Sequence, residues 1–284
     1  MSDEKIGKFQ VLETLGTGAH STILRIRRAV DAKEYALKVV PIDSEEDKKY
    51  LDQAKHEFEI GKKLNHPNLC KVLLFETESD WRFRIKKAKL LIEYVNGKTL
   101  DQTPLLKMAR ILRVFEKTAA GLVHMHKNGV MHADLKPSNI MLGRGMNVKI
   151  IDYGLARCKG EVVDRLQGTP EYIAPETAVH KIINERTDIY NFGATMYRLV
   201  TLKLPPMVLA SGDGLQISEE TFDEQLLPAN EINRATPKEL TELIHQCLSF
   251  NALKRPKRMS EVQGTLDRLA DDAAIGLDPS ELED

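Results

Sequence analysis

His132-Ala133-Asp134-Leu135-Lys136-Pro137-Ser138-Asn139 and, further along, Ile151-Asp152-Tyr153-Gly154 are the two runs that decide how this chain folds. They set two carboxylates (Asp134, Asp152), a cation (Lys136) and an amide (Asn139) in polar loops. Short apolar runs at 140–142 and 148–151 flank those loops and read as strands. Phosphoryl transfer needs such a set: a carboxylate near the attacking hydroxyl, a cation on the transferred phosphate, and oxygen ligands for Mg²⁺. Magnesium takes one or two protein oxygens and leaves the rest to phosphate and water, which an Asn–Asp pair can satisfy. Two ordinary polar turns would have a similar composition. Ala174-Pro175-Glu176 downstream argues against that plainer reading.

Toward the N-terminus the pattern is β-rich. Lys8 to Leu15, Thr22 to Arg27 and Tyr35 to Val40 cluster β-branched residues, and Pro41 stops the third run. Gly16-Thr17-Gly18-Ala19-His20-Ser21 lies between the first two. Glycines there allow a tight turn and let backbone N–H groups approach phosphate. A plain hairpin would hold the same glycines. The strand Thr22-Ile23-Leu24 after the loop argues against its dinucleotide-binding form, which needs a helix there. Lys38 sits inside an apolar strand, so it either faces solvent or has an anionic partner. Glu57, on a helix expected over 47–64, is a candidate partner, with Glu59 as the alternative on another face. His66-Pro67 ends that helix. Strands are expected at 69–77 and 89–95, and Asn96-Gly97 is a turn.

Beyond that turn the spacing is helical. Met108, Ile111, Leu112, Phe115, Ala119, Leu122 and Val123 keep a helical spacing, and Asn128-Gly129 closes the helix. Further helices are expected over 186–200, 237–250 and 259–271.

These motifs, in this order from about Phe9 to Leu269, resemble the eukaryotic-like (Hanks-type) Ser/Thr protein kinase family. The wording around Asp134 to Leu142 resembles bacterial members. The resemblance implies an α+β, bilobal protein-kinase fold. Residues 1–95 would form an N-lobe with a five-stranded antiparallel sheet and one main helix. Residues 96–271 would form a mostly α-helical C-lobe, and 272–284 an acidic tail. It implies ATP as cofactor with Mg²⁺, or Mn²⁺ in its place. Gly16, Thr17, Gly18 and Ser21 would cover the ATP phosphates. Ile23 and Ala36 would pack over adenine, with Met141 below. Glu93 and Val95 would offer hinge backbone groups behind the gatekeeper Ile92. Lys38, paired with Glu57, would bind the α- and β-phosphates. Asp134 would be the catalytic base and Lys136 the γ-phosphate contact, while Asn139 and Asp152 would ligate the metal. Thr169 would bond the catalytic loop, Glu176 would pair with Arg255, and Asp188 would anchor the catalytic-loop backbone. Lys136, two residues after Asp134, is the serine/threonine choice rather than the tyrosine one.

Three positions depart from the family pattern. Ala133 replaces an arginine that receives an activation-loop phosphate, and Leu155 to Gln167 contains no Ser, Thr or Tyr. Receptor and ligand are both missing, so activity is expected without loop phosphorylation. Tyr153 replaces phenylalanine, and its hydroxyl needs a partner if buried. Gly61 stands where the family places a bulky apolar residue, so Tyr153 is expected to fill the vacated space. His20, at the glycine-loop tip, is expected to be exposed.

Composition narrows the classes further. Among 284 residues, 41 Lys and Arg nearly balance 42 Asp and Glu, so no global field draws the chain to nucleic acid or membrane. The basic run Trp81 to Lys89 reads as a solvated hairpin or, alternatively, a docking patch for an acidic partner. Three cysteines without Cys-x-x-Cys spacing suggest neither a zinc site nor a disulfide framework, and fit a reducing compartment. No apolar leader or membrane span is read, so a cytoplasmic setting is expected. The partner expected is a protein bearing an acceptor Ser or Thr. Two rivals remain: a pseudokinase scaffold, supported by Ala133, Tyr153 and Gly61, and a small-molecule phosphotransferase of related fold.

Overall fold

β-Branched and leucine-rich runs near the N-terminus pair into a sheet because their alternating side chains can cover one helix. The computed structural model describes residues 5–6, 9–18, 20–161, 165–209 and 217–276. The chain divides into two compact units. The first comprises the described residues up to Asn65 together with Leu69–Asn96 and Asp152–Gly154. The second comprises His66–Asn68, Gly97–Ile151 and the described residues from Leu155 onward.

In the first unit the strands are β1 (Lys5–Ile6), β2 (Phe9–Thr17), β3 (Thr22–Arg28), β4 (Glu34–Pro41), β5 (Val72–Ser79) and β6 (Ile85–Glu93). They form one antiparallel sheet in the order β1-β2-β3-β4-β6-β5. That is one strand more than the five expected: Lys5 and Ile6 pair with Gln10 and Phe9, a ladder too short for any periodicity to reveal. The β3–β4 register sets Ile23 opposite Lys38, and the β4–β6 register sets Ala36 opposite Ile92. Helix α1 (Lys48–Gly61) buries Ala54, Glu57, Ile60 and Gly61. Val40, Ile42, Ala54 and Ala88 form a core against which Tyr50, Leu51, Phe75 and Ile85 pack.

Gly61 is the last residue of α1, and a Cβ there would lie 2.4 Å from Val72 Cγ2. The space kept free at Gly61 is therefore taken by Val72 of β5, which corrects the expectation that Tyr153 fills it. The hydroxyl of buried Tyr153 instead donates to the Cys70 carbonyl at 2.9 Å.

The second unit opens with β7 (Gly97–Thr99) and α2 (Met108–Lys127), followed by β8 (Val130–Met131), β9 (Ile140–Gly143), β10 (Asn147–Ile150) and β11 (Arg157–Cys158). Helices α3 (Pro175–His180), α4 (Glu185–Thr201), α5 (Glu219–Gln225), α6 (Ala229–Ile232), α7 (Lys238–Cys247) and α8 (Met259–Ala274) follow. Strands β10-β9-β7 form one antiparallel sheet and β11-β8 another. Gly97 is required by that pairing, since a Cβ there would meet the Leu142 carbonyl oxygen at 2.3 Å. Helix α2 buries Ile111, Leu112, Phe115, Ala119 and Leu122 on the predicted face and packs along α8. Helix α4 is buried at most of its length, including Asp188.

Helix α8 continues to Ala274, so 272–274 are helical rather than tail. The expected tail beyond them, at 277–284, lies outside the described residues, as do Ala19 and positions 162–164. No described helix is long and apolar enough to cross a membrane.

Candidate active site

Lys38 lies in β4 with its side chain mostly covered, a costly place for an ammonium without a counter-charge. Glu57 of α1 supplies one: Lys38 Nζ stands 2.7 Å from Glu57 Oε2, and the glutamate side chain is 3% exposed. Asp152 Oδ1 is 3.9 Å from the same ammonium. Burial works against the charge on Lys38, but Glu57 and Asp152 outweigh it and hold its pKa above the ordinary lysine value. Burial pushes the Glu57 carboxyl up, and Lys38, in contact at 2.7 Å, opposes that shift. Glu59, the alternative, pairs instead with Lys62 on the exposed side of α1.

The glycine-rich turn joins β2 to β3. Gly16 pairs with Ile23, Thr17 with Thr22, and the Gly18 amide donates to the Ser21 carbonyl at 2.8 Å. A Cβ at Gly16 would meet nothing within 4 Å, and one at Gly18 would meet only Ser21. The turn therefore presents open backbone, with room for a polyanion. His20 is exposed, and its ring also stacks on Tyr50 of α1 at 3.8 Å between centroids. Ile92 and Glu93 end β6, and Val95 is buried just beyond it. The Glu93 amide donates to the Lys71 carbonyl. Asp152 adopts a left-handed backbone, φ 65°, and its Oδ1 accepts the Gly154 amide at 3.0 Å.

In the second unit the catalytic-loop candidates converge. Asp134 Oδ1 accepts the Thr169 amide at 2.8 Å, and Asp134 Oδ2 is 3.0 Å from Lys136 Nζ. The same Lys136 Nζ donates to Thr169 Oγ1 at 2.6 Å. The Asn139 side-chain amide donates to the Asp134 carbonyl at 2.8 Å. Met141 stands in β9 opposite Lys149 and Thr99. Lys136 and Thr169 also line a cavity of about 520 Å³ with Tyr172, Arg198, Leu199 and Leu202.

Asp188 holds this loop from below. Its Oδ1 accepts the Ala133 amide at 2.8 Å; its Oδ2 accepts the His132 amide at 2.8 Å and lies 2.7 Å from His126 Nε2. Burial opposes the charge, yet the His126 bond and the backbone amides hold the carboxyl below its usual range. These bonds fix Ala133 at φ 67°, a left-handed geometry that costs a non-glycine residue about 1–2 kcal/mol. Glu176 and Arg255 form a bidentate pair, 2.9 Å at each arm. Arg255 also donates to the Arg186, Ser249 and Phe250 carbonyls, and Thr187 Oγ1 donates to Glu176. Sequence reasoning missed His126, which on α2 is indistinguishable from any polar residue of a last helical turn.

A family model described as the protein kinase domain matches residues 9–265. The chain belongs to the protein kinase domain family. A probable serine/threonine-protein kinase of Clostridium acetobutylicum is 26% identical over 271 residues, covering 93% of this chain and 39% of that protein. Serine/threonine-protein kinase PrkC of Bacillus subtilis is 22% identical over 268 residues, covering 92% of this chain and 40% of its own. Serine/threonine-protein kinase pkn3 of Myxococcus xanthus is 30% identical over 280 residues, covering 90% and 49%. The chain spans less than half the length of these three relatives. Within the family this kinase domain is of the Hanks serine/threonine type.

Proposed function

We propose that this domain transfers the γ-phosphate of ATP to serine and threonine hydroxyls of protein substrates. The observation that carries the reading is the Asp134–Lys136–Thr169 triangle. It fixes a carboxylate and an ammonium side by side, with lone pairs of Asp134 left for an incoming hydroxyl. The hydroxyl oxygen bonds to the γ-phosphorus, the bond from that phosphorus to the bridging β–γ oxygen breaks, and Asp134 takes the proton. Lys136 balances charge on the γ-phosphoryl oxygens. Protein catalysis of this step is mainly positioning and electrostatics.

Lys38, oriented by Glu57, is assigned to the α- and β-phosphates, and Gly16, Thr17, Gly18 and Ser21 to covering the phosphates. Ile23, Ala36 and Met141 are assigned to the adenine faces, and the Glu93 and Val95 backbone, behind Ile92, to its edge. Asn139 and Asp152 offer hard oxygen donors that suit Mg²⁺ and would hold it; when bound it screens the phosphate charge. Mn²⁺ would serve in its place. Thr169 acts through Asp134 and Lys136, whereas Asp188 and the Glu176–Arg255 pair act as positioning residues. An ATP-consuming enzyme with three free cysteines fits the reducing cytoplasm.

Activity is independent of phosphorylation between Asp152 and Thr169. Ala133 offers no cation to a phosphate, and Arg157 is bonded to the neutral Gln167 side chain. Phosphatase treatment of purified protein leaves activity intact on this reading. A large loss traced to a residue between Asp152 and Thr169 would overturn it.

The test of the main reading is phosphoamino-acid analysis of a generic protein incubated with labelled ATP and Mg²⁺. Label on phosphoserine and phosphothreonine is expected. Label on free metabolites alone would point to a small-molecule phosphotransferase instead.

A further inference from the structure

The basic run noted in the sequence forms the tip of the β5–β6 hairpin, where Ser79 pairs with Ile85. The loop between them is stiff. The Phe83 amide donates to the Asp80 carbonyl at 3.0 Å, and the Asp80 amide to the Arg84 carbonyl at 2.9 Å. The Asp80 carboxylate accepts the Arg82 and Arg84 amides at 2.8 and 3.0 Å. At its base Ile85 packs on the Val40, Ile42, Ala54 and Ala88 core.

At this stiff tip two aromatic rings face water. Trp81 is 80% exposed and Phe83 92%. Phe83 also has φ 60°. That left-handed position in a short hairpin loop ordinarily holds glycine, and a bulky residue there is an outlier. A ring that gains nothing from the interior and strains its own backbone points to a use outside the molecule. The Arg82 guanidinium stacks over Trp81 at 4.3 Å, and Arg84, Lys86 and Lys87 are exposed beside it. Nearby carboxylates offset this charge only in part: Glu78 is paired with Lys89, and the single charge of Asp80 stands against those of Arg82, Arg84, Lys86 and Lys87. Among the described residues Arg82, Arg84 and Lys86 have no salt bridge.

We propose that this tip docks the domain on an anionic lipid surface. Area and charge favour lipid over a protein partner. Two aromatic side chains offer about 150–250 Å² each, well short of the ~800 Å² a stable protein interface buries on each partner. A bilayer interface needs no shape match. Tryptophan settles at headgroup level, and each cation near anionic headgroups adds to binding.

Trp81 is the sole tryptophan of the chain, so its emission reports on the tip directly. The full chain is mixed with phosphatidylcholine vesicles, with or without phosphatidylglycerol, and followed by fluorescence and co-sedimentation. Neither readout depends on ATP or on phosphoryl transfer. A blue shift, loss of quenching by acrylamide, and co-sedimentation are expected with the anionic vesicles only, and high salt reverses them. The double substitution Trp81→Ala with Phe83→Gly, in which glycine suits the left-handed turn, weakens co-sedimentation at least about tenfold. Arg84→Glu with Lys86→Glu weakens it while leaving Trp81 emission in buffer unchanged. Unchanged emission and no sedimentation with anionic vesicles overturns the proposal. So does binding that survives the aromatic substitutions. Binding to poly-glutamate without vesicle binding assigns the tip to an acidic protein and overturns it as well.

Discussion

Replacing Asp188 with asparagine should unmake the catalytic loop from behind. The carboxylate accepts three donors: His126 and His132 reach Oδ2, and Ala133 reaches Oδ1. An asparagine can keep one oxygen for the first two, but its NH₂ group then faces the Ala133 N–H, donor against donor. Losing a hydrogen bond to a buried charged group costs about 1.5–3 kcal/mol, and the stranded amide adds to that. The left-handed Ala133 backbone, held at about 1–2 kcal/mol of strain, then has no anchor. A destabilisation of about 2–4 kcal/mol follows, read from urea unfolding by far-ultraviolet circular dichroism. The turnover number should fall with it, because relaxation of Ala133 displaces Asp134 next to it. Adding Ala133→Gly removes the strain, so the double variant should recover part of the stability but not the turnover. A loss below about 0.5 kcal/mol with unchanged turnover would refute this role for Asp188.

Two further outcomes follow from the buried polar groups. Tyr153→Phe removes the hydroxyl bonded to Cys70 and should cost about 1 kcal/mol in urea unfolding; no change would mean the bond contributes nothing net. Burial depresses the pKa of His245, so the unfolded chain takes up a proton there more readily than the folded one. Stability from this group is complete above the unfolded value of about 6.5 and is lost as pH falls below it. His245→Gln should therefore flatten the change in urea midpoint between neutral and mildly acid pH, and an unaltered slope would exclude His245 as its source.

Chemistry-bearing residues were far more legible in the sequence than their supports. The choice of Glu57 over Glu59 for Lys38 rests on the family resemblance and its spacing to His66-Pro67-Asn68, because strand alternation alone leaves Lys38 free to face solvent. The contacts of Asp188 and the Glu176–Arg255 pair rest on motifs, and they appear at hydrogen-bond distance. What escaped was anything set by long-range packing. Gly61 looks like a hole for Tyr153 until the sheet places Val72 against it. The His126–Asp188 bond joins residues on separate helices, with no local signal on either. The two-residue β1 and the short α3, α5 and α6 are too brief for a periodicity. Residues 66–68 and 152–154 each leave the unit of their neighbours, which no single boundary near 96 could express.

The central claim is that Asp134 performs the transfer. Single-turnover transfer from labelled ATP to protein, beside ATP affinity measured directly, tests it in wild type and Asp134→Asn. The account predicts near-unchanged ATP affinity in the variant with transfer slowed by about 10²–10⁴, the usual contribution of a positioned acid–base group. Wild-type protein that binds ATP without transferring phosphate, or a variant that transfers at the wild-type rate, would contradict it.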